Sequence, residues 1–171
     1  MPLAFLSIAG VCALSLKFFY SRATPDQLNW MLAPTARLTS WLTGAGFEQE
    51  IGRGYLSREL HFEILPACAG VNFAIVAFVA LCWILRREAD CPRALIRTVL
   101  ASATIAYGTT IVANAIRLTL LLGVHAGRIA VPGLSRDSLP AAIGILIYFL
   151  FLAVLAEASA AFGRNRRAST R

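Results

Sequence analysis

Charge is scarce in this chain, and lysine is nearly missing. Of 171 residues only 15% are Asp, Glu, Lys or Arg, and Lys17 is the one lysine beside fifteen arginines. A soluble domain needs charge on the outer face of every surface helix, so this scarcity argues against a large soluble core. There are two histidines, His61 and His125, and four cysteines without a CxxC pair. That set excludes the usual zinc spacings, and no metal or cofactor is expected. Cys68 and Cys82 are separated by roughly 21 Å of helical rise, too far for a bridge. No basic stripe interleaved with aromatics is present, which argues against nucleic acid as a partner despite a net charge of +7.

What fills the chain instead is apolar: 58% of residues are hydrophobic and mean hydropathy is +0.68. The charges gather between long uncharged runs, the pattern of a multi-pass membrane protein surrounded by lipid. The expectation is an all-α polytopic fold, one integral membrane domain over residues 1–171. Spans are predicted at about 3–20, 66–85, 98–123 and 139–156. The first lacks the basic start and small-residue exit of a cleaved signal, so an uncleaved span is expected.

Residues 21–65 form the longest polar stretch. Within it, 28–42 carries Trp30 and Trp41 with arginine and threonine between them, which suits a helix lying in the interface. A short β-like excursion or loop is expected over 48–63. Arg86, Arg87, Arg93 and Arg97 crowd the turn between the second and third spans. Arg164, Arg166, Arg167 and Arg171 follow the fourth. Both clusters belong on the cytoplasmic side by the positive-inside rule. Segment 21–65 has four arginines of its own, diluted by five acids and greater length. This topology puts Cys68, Asn114, Arg117 and His125 toward one surface, the outer one.

Arg117 is the strongest anomaly, because an arginine at a span's centre costs about 2.5–3.5 kcal/mol on the insertion scale. Either it snorkels to outer headgroups, or it faces an anionic or developing negative partner. Thr110, Asn114 and Arg117 fall on one helical face. A nearby guanidinium lowers a thiol's pKa and can hold an oxyanion, which makes a cysteine a fitting partner. Cys68 lies in Pro66-Ala67-Cys68-Ala69-Gly70-Val71-Asn72, where Pro66 suits a helix start and Cys68 and Asn72 are i and i+4. Most buried cysteines are inert, and Cys12 and Cys82 are read as packing residues.

The run Ala67-Cys68-Ala69-Gly70-Val71-Asn72 resembles the cysteine motif of the exosortase and archaeosortase family. Ala113-Asn114-Ala115-Ile116-Arg117 is similar to its Ala-Asn-x-x-Arg motif. Leu32-Ala33-Pro34-Thr35 and Asn72-Phe73 look like the exosortase K branch, and the resemblance covers roughly residues 28–150. It implies a membrane-embedded cysteine protease and transpeptidase of a bacterial inner membrane. Its substrates would be exported proteins with a C-terminal sorting tail: a recognition motif, a transmembrane helix and a basic cluster. Cys68 would be the nucleophile, Arg117 the stabiliser of thiolate or oxyanion, and Asn72 and Asn114 substrate-binding or supporting residues.

The family's histidine stands four residues before a glycine at the head of the last span. Here that place, before Gly144, holds Pro140, which has no proton to give. His125 in the preceding loop is the candidate replacement, with His61 behind it. Two rivals remain. A non-catalytic or degenerate relative would serve as a scaffold in surface-polymer or protein export. A small transporter would want paired charges or broken helices near the midplane.

Overall fold

A computed structural model describes residues 2–86, 91–129 and 138–169. Arg87 of the basic turn, Pro132 and Arg136 of the loop after the third span, and Arg171 lie outside the described residues. Among the described residues five α-helices dominate: α1 (Pro2–Arg22), α2 (Asn29–Thr43), α3 (Val71–Leu85), α4 (Pro92–His125) and α5 (Leu139–Ser169). Four helical segments among the described residues are long and apolar enough to cross a membrane, namely Phe5–Arg22, Pro66–Leu85, Pro92–His125 and Leu139–Ser159. The chain is therefore an all-α protein of membrane type, as its hydropathy predicts. The helices overrun the apolar segments that announce them. Helix α4 starts six residues early in the arginine-bearing turn, and α5 continues through the alanine-rich stretch after Leu155 to Ser169. Alanine and arginine are strong helix formers, so a helix need not stop where lipid does.

The chain packs as two compact units. The first comprises residues 1–21, 72–110 and 150–171. Its buried stripes run at helical spacing: Phe5, Ala9 and Ala13 on α1, then Ala74, Ala77, Phe78 and Leu81 on α3. Thr98, Ser102 and Ala106 continue the stripe on α4. Small residues of this kind let helices approach closely where lipid removes any hydrophobic drive. The opposite faces expose Leu14, Phe18, Val76, Trp83, Leu100 and Val154, as lipid contact requires. The guanidinium of Arg86 lies 4.1 Å from the Trp83 ring centroid, an anchor at the end of α3.

The second unit comprises residues 22–71 and 111–149. Helix α2 is 15 residues long, mixes Arg37, Ser40 and three threonines with its apolar residues, and is not among the segments long and apolar enough to cross. It buries Met31, Leu32, Thr35, Ala36 and Thr39 along one stripe and leaves Trp30 and Trp41 exposed. Thr39 returns its hydroxyl proton to the Thr35 carbonyl at 2.9 Å, which makes its burial tolerable. The excursion expected over 48–63 is an antiparallel sheet of β1 (Glu48–Glu50), β2 (Gly54–Ser57) and β3 (Phe62–Ile64), in that order. Tyr55 pairs with Gln49 on one side and with Ile64 on the other. Two bonds tie the sheet to the entry of α2. The Tyr55 hydroxyl donates to Asn29 Oδ1 at 2.8 Å, and the Gly52 amide donates to Asp26 Oδ1 at 3.2 Å. Strand β3 then delivers the chain to Pro66.

Candidate active site

Leu65 is extended (φ −83°, ψ 164°), and Pro66 opens a single 3₁₀ turn, Pro66–Cys68. Proline suits that first position because its missing N–H would have no partner there. The turn closes with the Cys68 amide donating to the Leu65 carbonyl at 2.8 Å and the Ala69 amide to Pro66 at 3.0 Å. Gly70 then takes φ +73°, a left-handed conformation that costs a residue with a Cβ about 1–2 kcal/mol. Helix α3 begins only at Val71. Cys68 is half-buried, and the three residues that follow it, Ala69, Gly70 and Val71, are buried.

This break corrects one expectation. Cys68 and Asn72 are not on a shared helical face, because no helix runs from one to the other. Gly70 reverses the backbone between them, and an i, i+4 relation has meaning only inside a continuous helix. Asn72 instead lies in the first unit, exposed, where its Oδ1 accepts a 2.7 Å bond from Lys17 Nζ.

Asn114 has the place that helical spacing suggested for Asn72. It is wholly buried on α4, and its Nδ2 donates to the backbone oxygen of Cys68. Its Oδ1 accepts a 2.9 Å bond from the Tyr148 hydroxyl on α5. The two bonds fix the carboxamide one way round. A carbonyl can only accept, so nitrogen must face Cys68, and oxygen is left to face a donor.

Arg117 follows Asn114 by three residues, so the two share a face of α4. Its guanidinium carbon lies 5.7 Å from the Tyr148 ring centroid, within cation–π range. A Cβ added to Gly144 would stand 3.0 Å from Arg117 Nε and 3.7 Å from Cδ, so the side chain lies against bare backbone there. Gly144 and Tyr148 are one helical turn apart, and together they form a notch in α5 that receives the guanidinium. Arg117 Nε is buried without a hydrogen-bond partner, and no ion pair involves Arg117 among the described residues. Thr110, grouped with these residues by spacing, turns its hydroxyl back to the Ala106 carbonyl at 2.6 Å.

His125 stands elsewhere. It is the last residue of α4, exposed, with its ring edge-on to Phe62 at 5.9 Å between centroids. Eleven residues of helix separate it from Asn114, a rise of about 16 Å. It lines an open cavity of about 400 Å³ with Glu59, Leu60, Leu122 and Arg128, and none of Cys68, Asn114 and Arg117 borders that space. His61 lies in the β2–β3 turn, exposed, with φ +48°. Pro140 is the second residue of α5, one turn before Gly144. Among the described residues no cluster of three His, Cys, Asp or Glu side chains is placed to hold a metal ion.

Asn114 thus reaches Cys68, and Tyr148, a residue the motifs do not include, touches both Asn114 and Arg117. Tyr148 is nevertheless the one polar side chain between Leu139 and Ala156. A phenol in such a run usually finds a partner for its O–H, and that was its signal. No protein-family model matches the chain, and no curated protein or solved structure matches it.

Proposed function

We propose that the chain is a membrane-embedded cysteine protease and transpeptidase of exosortase type, acting on C-terminal sorting tails at the outer face of a bacterial inner membrane. One observation carries the reading: Asn114 of the second motif hydrogen-bonds the backbone of Cys68 in the first. Two short motifs that are separate in sequence meet at this bond, and Arg117 follows Asn114 by three residues on the same face of α4.

In this mechanism Cys68 loses its proton to water and the thiolate attacks the scissile carbonyl; the C–N bond breaks as the tail's amine takes a proton from water, which leaves a thioester on Cys68. Arg117 stabilises the charge as it develops on sulfur or oxygen, from a setting where water competes little. An amine or water then takes the acyl group and returns the thiol. Asn114 holds the Cys68 turn still while bonds change.

A second reading is favoured by Pro140 and by the rise between Asn114 and His125. If no group supplies the proton, the chain binds the tail without cutting it and serves as a scaffold. The two readings differ in thiol reactivity. Intact cells carrying the full chain with Cys68 as its sole cysteine are treated with a membrane-impermeant maleimide. The enzyme reading expects fast labelling at Cys68, slowed at least tenfold in Arg117→Gln. Labelling no faster than that of an exposed thiol, and indifferent to Arg117, would favour the scaffold.

A further inference from the structure

We propose that Tyr148 is the positioning residue of this site, fixing both Asn114 and Arg117 through different parts of one side chain. The inference rests on the reading of Cys68 as nucleophile and adds a residue to it. Tyr148 has no place in either motif, and it sits on a third segment of chain.

Three features of the geometry carry it. The hydroxyl donates to Asn114 Oδ1 at 2.9 Å, which commits the opposite end of that carboxamide to the Cys68 carbonyl. Without the phenol, Oδ1 would have no donor and the amide could turn over, presenting oxygen to oxygen at Cys68. The ring faces the Arg117 guanidinium, 5.7 Å from its carbon to the centroid. Gly144, one turn away on α5, leaves room for the same guanidinium. Arg117 makes no ion pair among the described residues, so in this unit the aromatic face and the glycine notch are what define its position. A flexible side chain becomes a fixed one, and catalytic stabilisation by a charge depends on that charge being placed before the reaction.

Hydroxyl and ring have separable duties, and conservative variants separate them. Tyr148→Phe deletes the hydrogen bond and keeps the aromatic face. Tyr148→Leu deletes both. The test uses the full chain in lipid nanodiscs, with Cys12→Ser, Cys82→Ala and Cys91→Ser leaving Cys68 as the single thiol. The readout is the iodoacetamide alkylation rate across pH, because a side chain that only supports the fold would not move the midpoint of that profile. Thermal melts by circular dichroism identify variants that are folded.

Tyr148→Phe is expected to slow alkylation at neutral pH by about fivefold, the scale of one net hydrogen bond. In an Asn114→Ala background that effect should vanish, since the hydroxyl acts through Asn114. Tyr148→Leu is expected to shift the midpoint upward, by as much as Arg117→Gln does. An unshifted profile in Tyr148→Leu alongside a shifted one in Arg117→Gln would overturn the proposal and leave Arg117 and Cys68 as partners. An undiminished Tyr148→Phe effect in Asn114→Ala would also overturn it. A profile indifferent to Arg117→Gln as well would instead remove the underlying reading of Cys68.

Discussion

Asn114, on the long helix α4, donates its side-chain amide to the backbone oxygen of Cys68, 46 residues earlier in the chain. This bond sets where the cysteine turn sits against α4. It also means that the carboxamide cannot be exchanged for a carboxylate without penalty. Asn114→Asp would put an acceptor against an acceptor in a buried place, whereas Asn114→Ala leaves the Cys68 carbonyl unpaired. Unfolding in a denaturant series, read on the full chain in detergent, is expected to show Asn114→Ala destabilised by about 1–3 kcal/mol. Asn114→Asp is expected to be worse. An aspartate variant as stable as the parent would mean that the contact carries little weight.

The turn itself offers the next measurement. Gly70 holds φ +73° between Cys68 and α3, so Gly70→Ala should cost about 1–2 kcal/mol of stability. It should also move the cysteine, since relaxation toward a right-handed conformation would extend α3 backward. A circular dichroism melt gives the first effect, and the alkylation rate of Cys68 gives the second. An alanine variant unchanged in both would contradict the need for glycine at this position.

Gly144 is sensitive for a different reason. Its backbone is not strained, yet a Cβ there would stand 3.0 Å from Arg117 Nε. The guanidinium is the movable partner and alanine is the better helix former, so Gly144→Ala should leave stability unchanged or raise it by up to about 1 kcal/mol. Processing of a sorting-tail reporter should nevertheless fall about tenfold as the guanidinium leaves its notch. Arg117→Lys should do no better, because a compact ammonium cannot replace the planar fork of donors that a guanidinium presents. Full activity in Arg117→Lys would reduce Arg117 to an anchor for lipid headgroups.

His125 gives a prediction of opposite sign. It lies about 16 Å along α4 from Asn114 and packs on Phe62, so it is not placed as the proton donor of this site. Processing by His125→Ala is expected to stay within threefold of the parent chain. A loss of a hundredfold or more, with folding intact, would bring His125 into the chemistry and require α4 and the Pro66–Cys68 turn to rearrange on binding.

Much of the fold was legible in the sequence because hydropathy and charge act locally. Four apolar runs announced four long helices, and the Trp30 to Trp41 segment announced a helix too short and too polar to cross. The small sheet was legible only as a short β-like excursion or loop over 48–63. The site was legible only in part. Cysteine, asparagine and arginine stand out in apolar runs, since lipid makes each of them costly. The link from Cys68 to Asn72 failed because helical periodicity was assumed through Gly70. A glycine in a membrane segment reads equally well as a packing residue or as a left-handed break. Tyr148 was missed because its role depends on contacts with α4, and periodicity within α5 does not encode them.

The claim that Cys68 is a nucleophile meets its sharpest test in cells carrying the full chain and an exported reporter with a sorting tail, its cleavage followed by the reporter's change in mass. The parent chain should release the tail, and Cys68→Ala should leave the reporter uncut at equal expression. Complete processing by the folded Cys68→Ala protein would end the proposal.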